Sequence, residues 1–278
     1  QENPWWKAPY SLPAAYKKWV PRPYLDLLAP LVGQISIQRA IVLMGPRRVG
    51  KTVMIHHLID RLLEAGVQSK NICYLSVDHP IYNGLSLEEF IRFYEKATSI
   101  EVEKDLCYIF FDEIQYLKEW EKHLKSLTDS YPNSKFLASG SAAAALKLQS
   151  VESGAGRFTD FLLPPLTFHE YLFLLEKDDL IRIEEKDRDV EFEAINISSL
   201  NSHFIDYLNF GGYPEVVFSE EIRSDPGRFI KNDIIDKVLL RDLPQLYGIH
   251  DIQELNYLFT SLAFNTAGEV SLEELSQD

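Results

Sequence analysis

The segment Gly45-Pro46-Arg47-Arg48-Val49-Gly50-Lys51-Thr52 reads G-x-x-x-x-G-K-[ST] in full. Its glycines let the backbone fold so that successive N–H groups converge on one point. A helix opening at Lys51 adds the positive end of its dipole, so the segment is suited to a phosphate chain. In that arrangement Lys51 bridges the β- and γ-phosphates as a point charge and the Thr52 hydroxyl coordinates magnesium. Pro46, Val49 and Val53 complete the nucleotide-binding stretch, while Arg47 and Arg48 face outward and tune its charge.

Two further segments end where charge or polarity begins. Leu106 to Phe111 is an apolar run that stops at the adjacent carboxylates Asp112 and Glu113. Asp112 is placed to hold the magnesium shell, and Glu113 to polarise an attacking water as general base, a role worth roughly 10² to 10⁴ in rate. The bland alternative is an acidic helix cap. Phe136 to Ser141 likewise ends in small polar residues. There Ser139 or Ser141 either hydrogen-bonds the γ-phosphate or the water, or caps a helix over Ala142 to Gln149. No Asn/Thr-Lys-x-Asp guanine-reading element stands in a suitable place, which favours ATP over GTP. His56 and His57 are sequence neighbours on a helix and cannot share one face, so magnesium is the metal expected.

Positioning these groups requires a sheet whose strands end together. From Arg39 short apolar runs alternate with helical patterns. Strands are expected at Ala40–Met44, Asn71–Val77, Leu106–Phe111, Lys135–Ser139 and Arg157–Leu163. Helices are expected at Lys51–Glu64, Leu87–Ala97, Lys118–Ser130 and Ala142–Gln149. The fold class is therefore α/β, a five-stranded parallel sheet covered on both faces, with ligands at the carboxyl ends of its strands. The Ser139 strand is expected between the strands that carry the phosphate loop and Asp112. A strand and helix over Asn71 to Ala97 separate those two motifs, as in the branch of phosphate-loop proteins with an inserted strand and a catalytic glutamate.

Around this core, at 39–175, residues 1–38 read as an arm. Trp5, Trp6 and Trp19 anchor it, and Pro4, Pro9, Pro13, Pro21 and Pro23 argue against a long early helix. Glu176 to Glu193 is dense in charge and reads as a solvated linker or exposed helix. With the helical spacing at Leu200–Leu208 and Pro226–Leu240 it makes up an acidic linker and helical lid domain over 176–248. Cys73 and Cys107 sit in apolar strands and read as inert core thiols. The 278 residues carry a net charge of −14. That acidity opposes coating of a polyanion, though not one local basic face. No apolar run approaches the roughly 20 residues of a membrane span. The opening on Gln1, with no basic-then-apolar leader, reads as a fragment boundary, and the expected compartment is the cytoplasm.

Taken in order, these motifs resemble the AAA-superfamily ATPases of bacteria and archaea related to the archaeal and STAND-type ATPases. The resemblance runs through Gly45 to Thr52, Phe111-Asp112-Glu113-Ile114-Gln115, Ser139-Gly140-Ser141, Gly156-Arg157-Phe158, Pro165 to Tyr171, Gly211 to Glu215 and Arg241-Asp242-Leu243. It implies an arginine finger or phosphate sensor at Arg157, as against a surface arginine pairing with the acidic segment. It also implies an adenine-packing role for Gly212 and Pro214, as against a plain turn. The family usually continues into a winged helix and a nuclease-like domain. Asp251–Phe264 and Glu269–Ser276 resemble the first helices of that winged helix, at 249–278, and the chain stops before a recognition helix, which reads as truncation. The implied activity is magnesium-dependent ATP hydrolysis coupled to conformational change. Its alternative is a slow nucleotide-gated scaffold acting on a protein or DNA partner through the absent region, with self-association open. A small-molecule kinase is less favoured, since no acceptor pocket is evident.

Overall fold

The computed structural model describes residues 2–7, 13–82, 84–141, 156–186 and 189–275. The helix expected at Ala142–Gln149 lies outside them. Five parallel strands form the sheet: β1 (Ala40–Gly45), β2 (Ile72–Ser76), β3 (Tyr108–Asp112), β4 (Lys135–Ser141) and β5 (Phe158–Leu162). Their order is β2-β3-β4-β1-β5, so the Ser139 strand does lie between the phosphate-loop strand and the Asp112 strand. Every residue of β1, β3 and β4 is buried, as expected of central strands covered on both faces. Register aligns Gly45 with Ser141 and Ser76 with Asp112. All the polar strand ends therefore emerge along one edge.

Three helices of this core are α2 (Lys51–Glu64), α3 (Leu87–Thr98) and α4 (Trp120–Ser130). The start of α3 is fixed by a capping box, in which Ser86 Oγ accepts from Glu89 N and Glu89 returns a bond to Ser86 N. Its end is set by Ser99 in the left-handed region. Earlier in the chain, α1 (Tyr24–Gly33) corrects the expectation for the arm, because a ten-residue helix forms despite the prolines. Pro23 sits before its first turn and Pro30 in its last, so little of the hydrogen-bond ladder is lost.

Residues 2–6 of the arm cover the free edge of β2. Asn3 behaves as a surrogate strand: its Nδ2 donates to Tyr74 O at 2.9 Å, and Tyr74 N donates to its Oδ1 at 2.7 Å. Both Trp5 Nε1 and Trp6 Nε1 donate to Ile72 O, at 2.9 and 2.8 Å. Edge amides and carbonyls that would otherwise template another chain are thus satisfied internally. Trp5 is 1% exposed and belongs to the main core cluster.

Beyond the sheet, α5 (Phe168–Leu174) starts at a second capping box, Thr167 with Glu170. The acidic stretch is a second correction. Instead of a linker or helix it forms an antiparallel hairpin, β6 (Ile181–Lys186) with β7 (Asp189–Ala194). Its period-two pattern, Ile181 and Ile183 then Val190 and Phe192, was hidden beneath the charge density. Next come α6 (Ile197–Phe210), with Tyr207 and Phe204 against Phe168, and α7 (Pro214–Phe218).

The chain divides into two compact units, residues 1–226 and 227–278. In the second, wide i→i+5 turns at Ile230–Ile235 and Val238–Asp242 lead to α8 (Ile252–Phe264) and a short helix at Leu272–Leu275. Among the described residues no helix is long and apolar enough to cross a membrane.

Trp5→Ala should lower stability by roughly 3–5 kcal/mol through lost packing and a lost edge bond. Urea unfolding reads this as a lower midpoint, and Trp6→Ala, being half-buried, should cost less.

Candidate functional site

The phosphate loop is shaped by its surroundings as much as by its glycines. A Cβ on Gly45 would lie 2.3 Å from Leu163 O, so no larger residue fits where β1 meets the chain leaving β5. Gly50 turns into α2 at φ 93°, and Arg48 also adopts a left-handed φ of 67°. Arg48 is tied down by Glu215, Nη1 to Oε1 at 2.9 Å, and Arg47 Nη2 donates to Tyr116 OH at 2.9 Å. Lys51 Nζ donates to Gly45 O and Pro46 O, each at 2.9 Å, which aims the ammonium across the mouth of the loop.

Behind the loop lies a pair that sequence reasoning missed. Arg22 makes a two-pronged ion pair with Glu170, Nε to Oε1 and Nη2 to Oε2, both 2.8 Å. Its remaining donor, Nη1, reaches Val49 O at 2.9 Å and Pro164 O at 3.0 Å. Both side chains are buried. The fork of a guanidinium suits this four-acceptor arrangement, which a lysine would not reproduce. Glu170 entered the sequence reading only within the Pro165 to Tyr171 segment of the resemblance, and Arg22 stands among prolines with no periodic signal.

Asp112, buried at the end of β3, gathers the second half of the site. Its Oδ2 accepts from Thr52 Oγ1 at 2.7 Å and from Tyr74 OH at 2.8 Å. Its Oδ1 accepts from Ser139 Oγ and from Glu113 N, the latter at 3.2 Å. Tyr74 was another residue missed, since a tyrosine inside an apolar strand reads as core. Beside Asp112, Glu113 holds a left-handed φ of 57°, and Gln115 Nε2 donates to its Oε2. Gln115 Oε1 accepts from Ser141 N at 3.2 Å, tying the glutamate to the end of β4. Burial first, then the Asp112 charge, pushes the Glu113 carboxyl up, while Lys51, Gln115 and Arg47 oppose the shift. A raised carboxyl is a better proton acceptor.

His56 packs beneath Tyr74, with ring centroids 4.7 Å apart, and stacks on Tyr16 at 3.8 Å. Burial, aided by His57 and opposed by Asp112, pushes its pKa down to about 4, so its ring is neutral near pH 7. His57 Nε2 lies 3.1 Å from Tyr16 O. The two cysteines are free and buried, and burial raises both thiols.

The structure thus brings Lys51, Thr52, Asp112, Glu113, Ser139 and Ser141 to one edge. It does not bring Arg157 there. That side chain pairs with Asp129 and precedes Phe158, which lies opposite Ala40 at the amino end of the sheet. Gly212 O accepts from Leu166 N at 2.9 Å, and Pro214 opens α7, whose Glu215 is the partner of Arg48. The Gly212 to Pro214 turn is therefore linked to the phosphate loop by one ion pair.

The donor set fits a nucleotide with magnesium. Thr52 gives its hydroxyl proton to Asp112, which leaves its lone pairs for a hard cation, and the neighbouring groups are oxygens. Ser141 Oγ is buried with no hydrogen-bond partner, at the strand end level with Gly45, where a phosphate oxygen would satisfy it.

Residues 37–172 match a family model described as an AAA domain, and residues 201–278 match one described as a domain of unknown function. An uncharacterized protein of Haemophilus influenzae is 27% identical over 236 residues, 84% of this chain and 54% of its own length. Uncharacterized protein MJ1544 of Methanocaldococcus jannaschii is 26% identical over 237 residues, 84% of this chain and 48% of its own. The chain spans about half the length of these curated relatives. A solved S. cerevisiae Hsp104:casein complex in its extended conformation is 15% identical with TM-score 0.48, covering 91% of this chain and 48% of that one.

Arg22→Met should destabilise by about 3–5 kcal/mol, because Glu170 is left buried and unpaired. Adding Glu170→Met should recover at least half of that loss in denaturant titration, since the pair rather than either charge is what the interior tolerates.

Proposed function

Since residues 37–172 form an AAA-superfamily P-loop domain, we propose that the chain binds ATP with magnesium and hydrolyses it to ADP and phosphate. The observation that carries this reading is the convergence of Lys51, Thr52, Asp112 and Glu113 on one sheet edge beside the partnerless Ser141 hydroxyl. Loop amides from Gly45 to Thr52 hold the phosphates, and Lys51 spans the β- and γ-groups. Thr52 and Asp112 hold the magnesium, which when bound neutralises charge on the phosphate oxygens. Glu113 accepts a proton from the water that attacks the γ-phosphorus as the bond to the β-phosphate bridge breaks. Ser139 orients Asp112, and Ser141 is aimed at the γ-phosphate.

Conformational coupling is read from the Arg48–Glu215 pair, through which the phosphate loop touches the turn at Gly212 and Pro214. We read residues 176–248, a hairpin followed by helices, as a lid and 249–278 as the start of a winged helix. A slow, nucleotide-gated scaffold is the second reading. It is favoured by Gln115, which ties up Glu113, and by Arg157, which pairs with Asp129 at the amino end of the sheet, away from this chain's own phosphate loop. A protein or DNA partner in the cytoplasm would receive the nucleotide state.

Phosphate release with magnesium tests both. Lys51→Ala should abolish turnover, and Glu113→Gln should keep ATP binding while turnover falls at least about a hundredfold. Tight binding with no turnover in the wild type, at any protein concentration, would leave the scaffold reading standing and remove the hydrolase.

A further inference from the structure

Asp112 is held by more than the loop it serves. Its two oxygens accept from Thr52, Tyr74, Ser139 and Glu113 N, and a carboxylate offers about four lone-pair sites. Thr52 and Tyr74 share Oδ2, while Ser139 and the Glu113 amide share Oδ1. The carboxyl torsion of an aspartate is otherwise broad and roughly two-fold. Donors pulling on both oxygens fix its plane, and the plane decides where Thr52 presents its lone pairs.

We propose that Tyr74 is a positioning residue for magnesium: its hydroxyl locks the Asp112 carboxylate in the orientation that lets Thr52 offer its lone pairs to the cation while Asp112 steadies the cation's shell. This rests on the site reading above. Tyr74 sits on β2, outside both the phosphate loop and the acidic strand end, and it is itself anchored from two directions. Asn3 closes both hydrogen bonds of its backbone, and its ring lies against His56, which in turn stacks on Tyr16. The arm therefore supports the magnesium carboxylate through one tyrosine. A buried hydroxyl that merely found the nearest acceptor would help folding and leave cation affinity alone.

The test is a magnesium titration of Tyr74→Phe, which keeps the ring and removes one hydroxyl. Binding of a fluorescent ATP analogue is followed in EDTA and across magnesium concentrations, beside phosphate release. The half-saturating magnesium concentration should rise about three- to tenfold, the loss expected for one hydrogen bond. Affinity in EDTA should stay near wild type. An unchanged or lowered half-saturating concentration overturns the proposal. If Tyr74→Phe does not fold, Asn3→Ala, which frees the Tyr74 backbone, should raise the same quantity, and no rise there overturns it as well. A wild type that does not bind the analogue at any magnesium concentration overturns the nucleotide-site reading and this inference together, and one whose binding ignores magnesium overturns the magnesium site and this inference. Magnesium-dependent wild-type binding with an indifferent Tyr74→Phe overturns this inference alone.

Discussion

A single buried carboxylate sets the terms for the functional edge. Asp112 lies at the end of a strand whose every residue is buried, and an ion there is tolerated only when its hydrogen-bonding capacity is filled. The partners that fill it come from four elements: Thr52 from α2, Tyr74 from β2, Ser139 from β4 and the amide that follows β3. Satisfying one charge thus obliges three strands to end, and a helix to begin, around the same point. The same requirement explains why Ser139 is completely buried at a position that could have held a larger apolar residue.

The phosphate loop obeys a complementary constraint. Its glycines make the bend possible, but a flexible loop is held in one shape only if something grips it from outside. Arg22 grips the carbonyl of Val49, and Glu170 neutralises the grip. Because Glu170 also closes the cap of α5, the loop and that helix share an anchor. Arg48 provides a second tie on the opposite flank, to Glu215. Being more exposed, that pair contributes little to stability and is better suited to making and breaking.

Legibility in the sequence followed chain locality. Gly45 to Thr52 and Asp112-Glu113 were readable because each is a contiguous segment whose residue types state their own geometry, and the five strands of a parallel sheet were readable as apolar runs buried on both faces. Arg22, Tyr74 and Asn3 were not readable, since their meaning lies in partners 27 to 148 positions away. The hairpin at Ile181–Ala194 was misread for a different reason. Charge density dominated a weak alternation whose partner strand is its own neighbour. Arg157 was placed by resemblance, and the fold sets it at the far end of the sheet.

The cover over β2 has a consequence for the order in which the molecule is built. During synthesis the tryptophans of the arm emerge before β2, since the carbonyl that Trp5 bonds belongs to Ile72, 67 residues later. The arm must stay uncommitted until β2 has been made, and closing so long a loop is among the slower events of folding. Until then the nascent sheet offers a bare strand to any passing chain. Residues 2–6 therefore dock late, sealing the sheet once its edge exists.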